Sequence, residues 1–295
     1  MHCESWRKAS DPEHREAIFP DQVAADTRVR ITLLANRDLA SNLALNQLLP
    51  RLSQRHRLQV FLSSQVGSAA NLPEPLRMLK FFEQTLFNEI LFPALGNAHV
   101  AGVPCSFDQL GQFTALPITV LNQINSEAGL AALSASAPDL IICLRYGGIL
   151  KDQAIAIPGH GVINLHSGLL PTYRGVMATF RALLHGETTI GTTLHYISDG
   201  SIDTGDIIGT TRMRVTEGRS YLWHVLQLYP AACELLVTTV DHISAGPIPV
   251  RQTQPAGGHY YSFPGQADLD AFLQTGHSLY AVSEITEIAR SYLAR

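Results

Sequence analysis

The stretch Gly161-Val162-Ile163-Asn164-Leu165-His166 ends an apolar run with two polar side chains. The apolar residues predict a buried strand, and side chains two positions apart in a strand leave on the same face. Asn164 and His166 therefore project together. An amide and an imidazole on one face can grip one small group, so this stretch predicts a functional site at the end of a strand.

Two further motifs extend the pattern along the chain: Leu169-Leu170-Pro171-Thr172-Tyr173-Arg174-Gly175 and Ser201-Ile202-Asp203-Thr204-Gly205-Asp206. The second motif adds a carboxylate to the amide and the imidazole. Asp199 and Asp206 compete with Asp203 for that role, but Asp199 precedes a glycine in a predicted turn and Asp206 begins an apolar run. We therefore favour Asp203. Taken singly, each of these residues is equally well explained as a satisfied structural polar group or a turn residue.

The order of these motifs resembles the folate-dependent formyltransferase family, which includes glycinamide ribonucleotide transformylase, methionyl-tRNA formyltransferase and the sugar N-formyltransferases. The family pattern is Asn-x-His, then Leu-Leu-Pro, then a distant Asp. The resemblance is continuous over about residues 137–208 and weaker upstream, towards a first strand near Arg30. It implies that Asn164, His166 and Asp203 are the catalytic residues.

The chemistry of formyl transfer explains why these three residue types are wanted. A formyl group that moves from a folate nitrogen to an amine passes through a tetrahedral carbon that bears an oxyanion. Asn164 and a protonated His166 could both donate to that oxyanion, and removal of one such donor typically costs ~10²–10³ in turnover. His166 could also move the protons, while Asp203 would orient its ring and favour its charged form. This route requires neither a metal nor a covalent intermediate.

Alternating strand and helix patterns lie on both sides of the Asn-x-His strand. The apolar runs and helical spacings predict strands at 29–35, 58–63, 118–121, 140–144 and 192–197, and helices at 41–52, 126–135, 177–185 and 221–243. This order predicts an α/β fold, with a Rossmann-like, mostly parallel sheet and helices on both faces. The resemblance implies the formyltransferase version of that fold.

The composition along the chain predicts three regions. Residues 1–27 are charged and lack periodicity, and we interpret them as a flexible leader. Residues 28–245 form the predicted catalytic domain. Within that domain, the stretch near 73–95 has helical apolar spacing and no counterpart in the compact family members, which predicts a helical insertion. Residues 246–295 are punctuated by Pro and Gly and form a predicted small C-terminal extension.

A loop after the predicted strand 140–144 carries the prediction of a cofactor. Arg145-Tyr146-Gly147-Gly148-Ile149-Leu150 resembles the Tyr-Gly-x-Ile-Leu segment that lines the folate pocket in the tRNA and sugar formyltransferases. Paired glycines after a central strand allow the close backbone approach that such a pocket needs. The resemblance implies that these six residues bind 10-formyltetrahydrofolate as co-substrate. The alternative is a plain turn from strand to helix.

Three more residues are candidates for binding the substrate. In relatives, Tyr173 and Arg174 face the mouth of the site, where Arg174 could pair with a substrate carboxylate or phosphate, or else anchor its loop. His195 occupies a strand position where relatives often carry a His, so it either supports the site or is a core histidine. Aromatic residues in the tail, at 260, 261 and 263, either cover the substrate opening or dock the tail onto the core.

Departures from the family pattern constrain the substrate. The turn at 36–43 contains no glycine, and Asp38 would repel the phosphate that a Gly-rich turn binds in glycinamide ribonucleotide transformylase. The purine-pathway substrate is therefore disfavoured. Ser167 stands next to His166, whereas many relatives read His-x-Ser-Leu, which puts the role of that hydroxyl in doubt. The tRNA enzymes also carry a C-terminal barrel, for which residues 246–295 are too few.

Charge and hydropathy exclude other classes of partner. A formal charge of −4 with 21 Lys and Arg argues against tRNA, because binding to a phosphate backbone relies on clustered cations. No apolar run approaches the ~20 residues that span a membrane, and the N-terminal residues lack the apolar centre of a signal peptide. The sequence therefore predicts a cytoplasmic protein without a membrane partner. The four cysteines lack metal-ligand spacing, so we assign no metal. The oligomeric state stays open, a homodimer included.

These observations lead to one hypothesis and two alternatives. The hypothesis is a transfer of the formyl group from 10-formyltetrahydrofolate to an amine or hydroxylamine of a small metabolite, such as an amino sugar or an amino-acid derivative. The first alternative is a hydrolase that releases formate from the same folate, with water in place of the amine. The second is a non-catalytic sensor that binds folate or another metabolite.

Overall fold

The computed structural model describes residues 15–17, 28–64, 72–96, 100–246, 249 and 251–293. Within these ranges the strands are β1 (Arg15–Ala17), β2 (Arg30–Asn36), β3 (Arg57–Ser63), β4 (Thr119–Val120), β5 (Leu140–Leu144), β6 (Val162–His166), β7 (Tyr173–Gly175), β8 (Thr189–Ile197), β9 (Ile207–Arg214) and β10 (His259–Tyr261). Eight of them form the main sheet in the order β1-β9-β8-β6-β5-β2-β3-β4, and β10 pairs with β7 separately.

Strands β2 to β6 of the main sheet are parallel, whereas β8 is antiparallel to β6 and β9 is antiparallel to β8. The order of the strands reverses at β2, which has β3 on one side and β5 on the other. The predicted Rossmann-like, mostly parallel sheet is therefore confirmed. In such sheets, ligands bind beyond the carboxyl ends of the strands, at the point where the strand order reverses.

The described part of the chain contains ten α-helices. They are α1 (Leu39–Leu52), α2 (Glu74–Lys80), α3 (Phe92–Leu95), α4 (Phe107–Leu110), α5 (Glu127–Ala135), α6 (Asp152–Ile155), α7 (Ala178–Leu184), α8 (Tyr221–Ser244), α9 (Gln266–Gln274) and α10 (Val282–Leu293). Side-chain caps define the starts of four of them. At Asp38, Ser106, Ser126 and Ser220, a side-chain oxygen accepts a hydrogen bond from the backbone N–H three residues on, which satisfies a group that the helix leaves unpaired.

The central strands are buried on both faces, which is why they read as unbroken apolar runs. Leu33 and Leu34 of β2 are both 0% exposed, yet they belong to different clusters of buried residues. Leu33 packs in a large cluster with residues of α1 and α8, and Leu34 packs in a smaller cluster that includes Leu133 of α5. Helices therefore cover the sheet on both faces, as the sequence predicts.

The stretch predicted as a helical insertion, near 73–95, is helical in the structure. α2 continues without a break into a π-helical segment (Phe81–Leu91) and then into α3. Phe87 in that segment is fully buried, and its ring centroid lies 5.8 Å from that of Tyr292 in α10. The segment thus packs against the C-terminal part of the chain. Its absence from compact relatives stays a prediction.

The two ends of the described chain both contact the main domain. Within the predicted flexible leader 1–27, β1 pairs antiparallel with β9, and the rest of the leader lies outside the described residues. In the C-terminal extension, α9 packs on α7 through stacked Phe180 and Phe272 rings, whose centroids are 4.4 Å apart, and Arg181 Nη1 lies 2.8 Å from Asp268 Oδ1.

The structure bears on two predictions, one about the cysteines and one about membrane-spanning segments. Cys105, Cys143 and Cys233 are buried, while Cys3 lies outside the described residues. None of the helices in the described ranges combines the length and the apolar character that crossing a membrane requires.

Candidate active site

The end of β6 brings the amide and the imidazole to the carboxyl edge of the sheet. Asn164 lies opposite Cys143 of β5 on one side and opposite His195 of β8 on the other. Since cross-strand partners share a face, Asn164 Nδ2 reaches His195 Nε2 at 3.1 Å. His166 ends the strand on the same face as Asn164. The register of the sheet thus assembles one amide and two imidazoles.

The carboxylate of Asp203 sits at the centre of this group. Its Oδ1 lies 3.3 Å from His195 Nε2 and 3.4 Å from Asn164 Nδ2. Its Oδ2 lies 3.4 Å from His166 Nδ1 and accepts a 2.8 Å hydrogen bond from the Gly175 N–H. Each oxygen therefore faces one imidazole and one further donor. The competing Asp199 instead accepts a bond from a backbone N–H of its own turn.

The hydrogen bonds of the two rings define which nitrogens carry protons. His166 Nε2 lies 2.7 Å from the Tyr173 carbonyl oxygen, which can only accept, so this nitrogen donates. Its Nδ1 then faces the Asp203 carboxylate. His195 Nδ1 similarly donates to the Tyr196 carbonyl at 2.9 Å, while its Nε2 accepts from Asn164 Nδ2 when the ring is neutral and donates to Asp203 Oδ1 when the ring is charged. His195 thus fixes the orientation of the Asn164 amide, and the Asp203 carboxylate can pair with His166 when that ring is protonated.

Electrostatics keep the Asp203 carboxyl ionised. Burial by itself would raise its pKa, but the charges of His166 and His195 and the hydrogen bond from Gly175 oppose that effect. The net result holds the pKa of Asp203 well below its ordinary value of 3.8. The carboxylate is therefore charged at neutral pH, and it can act as a counter-ion to an imidazolium.

A glycine explains the unusual sequence that follows His166. A Cβ atom at Gly168 would lie 2.6 Å from His166 Nε2 and 2.5 Å from the Cβ of Ala178, closer than real contacts allow. Only glycine fits between the imidazole and α7. The Gly168 carbonyl also accepts a 2.7 Å bond from Thr193 Oγ1, which ties the loop to β8. The shift of the serine to position 167 thus accompanies a loop that closes on the imidazole.

The predicted folate loop follows β5 at the reversal of strand order. The Tyr146 hydroxyl donates to the Leu121 carbonyl, and the Gly147 N–H donates to Ser63 Oγ at 2.8 Å. The Ile149 carbonyl accepts a 2.8 Å bond from Asn125 Nδ2. These bonds hold the loop against the carboxyl end of β3 and the start of α5. The Ile149 side chain remains 55% exposed, while Leu150 is buried.

The Arg145 side chain points into an ion cluster rather than into open space. Its backbone has a φ of +55°, its Nε lies 2.9 Å from Asp38 Oδ2, and its Nη2 lies 3.4 Å from Glu83 Oε1. Asp38 also accepts bonds from Asn36 Nδ2 and from the N–H of Ser41. The guanidinium is thus committed to two carboxylates, one at the start of α1 and one in the π-helical segment. A contact of this side chain with folate stays a prediction.

Burial of Glu83 leads to a testable dependence of stability on pH. Desolvation raises its pKa from 4.5 to about 7, although the Arg145 guanidinium opposes the rise. The folded state therefore binds an extra proton between these values, and the stabilisation is present below about pH 4.5 and lost as the pH rises through 7. We expect Glu83→Gln to remove this loss, worth roughly 1 to 3 kcal/mol of the free energy of unfolding.

The measurement is chemical denaturation of wild type and Glu83→Gln at pH 5 and pH 8. The matched control is Glu89→Gln, which changes an exposed carboxylate of the same π-helical segment. Parallel pH dependences in wild type and Glu83→Gln would show that Glu83 is not the group that loses the proton.

The three predicted substrate-binding residues lie in different environments. Tyr173 is buried, and its hydroxyl donates to Glu187 Oε1 at 2.9 Å, so its carbonyl rather than its phenol meets the catalytic group. Arg174 is half-buried and donates through Nη2 to the Gly258 carbonyl at 3.5 Å. His195 is 1% exposed and lies inside the catalytic group. Of the three, the structure brings only the His195 side chain to Asp203.

Sequence reasoning missed two residues that hold the site together. Glu83 pairs with Arg145 across 62 positions of sequence, and Gln254 donates to the Asp203 carbonyl across 51. Neither lies in a motif, so no local signal could have found them. Among the described residues, no group of three or more His, Cys, Asp or Glu side chains has the geometry to hold a metal ion.

An amide and an imidazole beside a carboxylate, at the edge of a parallel sheet, can stabilise an oxyanion and move a proton, as transfer of an acyl-type group through a tetrahedral intermediate requires. Comparison with known proteins adds a sequence match to this geometry. Residues 117–222 match the sequence model of the family described as formyl transferase. The matched segment contains Asn164, His166 and Asp203.

Individual proteins that the chain matches also carry formyltransferase names. A methionyl-tRNA formyltransferase from Kosmotoga olearia is 32% identical over 146 residues, which are 50% of this chain and 47% of the relative. The chain therefore spans about half the length of the curated relatives it matches. Among solved structures, glycinamide ribonucleotide transformylase 1 from Symbiobacterium toebii superposes with a TM-score of 0.53 at 16% identity, covering 78% of this chain and 93% of that one. A 4-N formyltransferase from Francisella tularensis gives a TM-score of 0.54 at 15% identity, covering 83% and 86%. At these identities the structures share the fold.

Proposed function

We propose that this protein transfers a formyl group from 10-formyltetrahydrofolate to the amine or hydroxylamine of a small metabolite. The observation that carries the proposal is the carboxylate of Asp203, which is held between His166 and His195 beside the amide of Asn164. This arrangement supplies oxyanion donors and a proton carrier in one place, as formyl transfer requires.

In the proposed reaction, the acceptor nitrogen attacks the formyl carbon, and a new C–N bond forms as the carbonyl oxygen becomes an oxyanion. To donate to that oxyanion, Asn164 Nδ2 gives up a contact with His195 or Asp203, and His166 Nε2 gives up its hydrogen bond to the Tyr173 carbonyl. The bond from carbon to the folate nitrogen then breaks, the folate nitrogen gains a proton and the acceptor nitrogen loses one. His166 relays these protons while Asp203 balances its charge. No covalent intermediate with the protein forms in this scheme.

The position of the folate loop supports the proposed donor. The loop 145–150 follows β5 next to β2, where the order of the strands reverses and where ligands bind in sheets of this type. Gly147 and Gly148 leave backbone accessible there, and the loop is already held by bonds to Ser63 and Asn125. In this proposal the pocket is lined by residues 146–150, while Arg145 anchors the loop.

The charges at the end of β2 support an acceptor without a phosphate in this position. Asp38 forms an ion pair with the guanidinium of Arg145, and Glu83, whose pKa is raised to about 7, is partly protonated at neutral pH. The N–H of Ser41, which a phosphate would need, is already bonded to Asp38. This place therefore offers an incoming phosphate neither the Ser41 N–H nor an unpaired guanidinium. This is the physical reason for proposing an acceptor without a phosphate in this position.

A tRNA acceptor is the second candidate, because the curated relatives that the chain matches are methionyl-tRNA formyltransferases. The net charge of −4 disfavours a polyanionic partner. Formylation of charged initiator tRNA by the purified protein, measured beside a panel of amino sugars and amino-acid amines, separates the two acceptors directly.

The first test is calorimetric titration with a stable 10-formylfolate analogue. We expect wild type to bind the analogue and His166→Ala to bind it with similar affinity, because the proposed pocket is built from the loop 145–150. Folate absorbance then follows turnover with each amine. Formate release without any amine would favour the hydrolase, and tight binding without turnover would favour the sensor. The absence of binding in a folded sample would overturn the proposal.

A further inference from the structure

One side chain of the C-terminal extension clamps the turn that carries Asp203. Gln254 Nε2 lies 3.1 Å from the Asp203 carbonyl oxygen and 2.7 Å from the Gly205 carbonyl oxygen. A primary amide has two N–H groups, and both are directed at this turn. Gln254 is half-buried, whereas its neighbours at 251–253 are exposed.

The clamped turn needs external support. Asp203 has a φ of +55°, which non-glycine residues rarely adopt and which persists only where the surroundings hold it. A Cβ at Gly205 would lie 1.9 Å from the Tyr196 carbonyl oxygen, so the turn also runs tightly against β8. The backbone of Asp203 determines where its carboxylate lies relative to His166 and His195. Bonds to the carbonyls of this turn therefore act on the geometry of the catalytic group.

The segment that carries Gln254 is also hydrogen-bonded to two strands, β9 and β7. Before Gln254, the backbones of Gln252 and Ile207 exchange hydrogen bonds of 2.8 and 2.9 Å. After it, β10 pairs in parallel with β7, whose last residue, Gly175, donates to Asp203 Oδ2. Residues 251–261 thus join the turn of Asp203 to the strand that supplies its backbone donor.

From this geometry we infer that Gln254 is a positioning residue for Asp203, and that the C-terminal extension is part of the catalytic apparatus. The inference rests on the proposed function, in which Asp203 supports His166. Gln254 itself does not contact the reacting atoms. Its contribution is to hold the carboxylate at the distances that keep both imidazoles oriented.

The test compares Gln254→Met with wild type. Methionine keeps the length of the side chain and removes both N–H donors, so we expect kcat for formyl transfer to fall roughly tenfold while KM for the donor stays within twofold. We also expect the ¹⁵N chemical shifts of the His166 and His195 ring nitrogens to move at fixed pH, because their carboxylate partner is displaced. The chemical shifts are readable without turnover.

Two further variants control the comparison. Gln54→Met makes the same change on an exposed side chain outside the C-terminal extension and should leave kcat and the ring signals unchanged. Gln254→Lys restores N–H donors that can reach both carbonyls and should recover most of the lost kcat. If Gln254→Met does not fold, Gln254→Glu serves instead, since a carboxylate of the same shape cannot donate to a carbonyl.

The outcomes separate this inference from the proposed function. If wild type forms no formylated product, the proposed function is wrong. The ¹⁵N shifts of the His166 and His195 rings then still test whether Gln254 positions Asp203. Unchanged ring signals in Gln254→Met overturn the inference. So does a raised KM with unchanged kcat, because that pattern indicates a residue that binds substrate.

Discussion

Replacement of His166 by alanine is expected to lower kcat for formyl transfer by roughly 10³–10⁴. The variant loses an oxyanion donor, worth about 10²–10³, and a proton carrier, worth about 10²–10⁴, and the two contributions overlap because one ring provides both. In the structure this ring donates to the Tyr173 carbonyl and faces Asp203, so its removal leaves the buried carboxylate without one of its partners. Steady-state turnover with the best acceptor measures the effect.

A second variant divides the two roles of this ring. His166→Gln keeps an N–H donor but cannot relay a proton, so its kcat should lie between those of wild type and His166→Ala. His160→Ala changes an exposed histidine outside the site and controls for general effects. Full activity in His166→Ala, with donor binding intact, would contradict the mechanism.

Replacement of Asp203 by asparagine is expected to reduce kcat by roughly 10²–10⁴, because the imidazolium of His166 loses its counter-ion. The amide has nearly the same shape and can still accept the bond from Gly175, so the fold should persist. Asp199→Asn is the matched control, since Asp199 occupies an exposed turn four residues earlier. Turnover of both variants, at equal donor concentration, provides the comparison. Equal turnover in the two variants would remove Asp203 from the mechanism.

The same variant should change how stability depends on acid. Since the folded-state pKa of Asp203 is lowered, the stabilisation it provides is present above its unfolded value of 3.8 and is lost as the pH falls through the folded value. The free energies of unfolding of wild type and Asp203→Asn should therefore differ most near neutrality and converge at strongly acid pH. Denaturation series at pH 7 and pH 3 measure this convergence.

The central strands could be predicted from sequence because burial on both faces leaves a simple pattern. The predicted strand 140–144 coincides with β5, and the predicted strand 29–35 differs from β2 by one residue at each end. β9 was missed except for its apolar start. Its later residues are polar and alternate in exposure, and only pairing with β8 makes them a strand. The short β7 and β10 depend on each other across more than eighty positions, so neither has a local signature.

The same distinction between local sequence patterns and long-range contacts applies to the residues of the candidate site. Asn164 and His166 could be predicted as a pair because the period of a strand fixes their common face. Asp203 required the resemblance to a family, since nothing in a turn sequence announces a φ of +55°. Gln254 and the ion pair of Glu83 with Arg145 could not be predicted, because each joins segments that only the finished fold brings together.

The pairing of β10 with β7 has a consequence for the timing of synthesis. A ribosome that has released the chain as far as α8 has made every strand of the main sheet in the described part of the chain, including the one that carries Asn164 and His166. The segment 251–261, which fastens the Asp203 turn and the Gly175 strand, is still inside the exit tunnel at that moment. The nascent protein can therefore complete its core before it completes its catalytic geometry, which has to wait until residues 251–261 have left the tunnel.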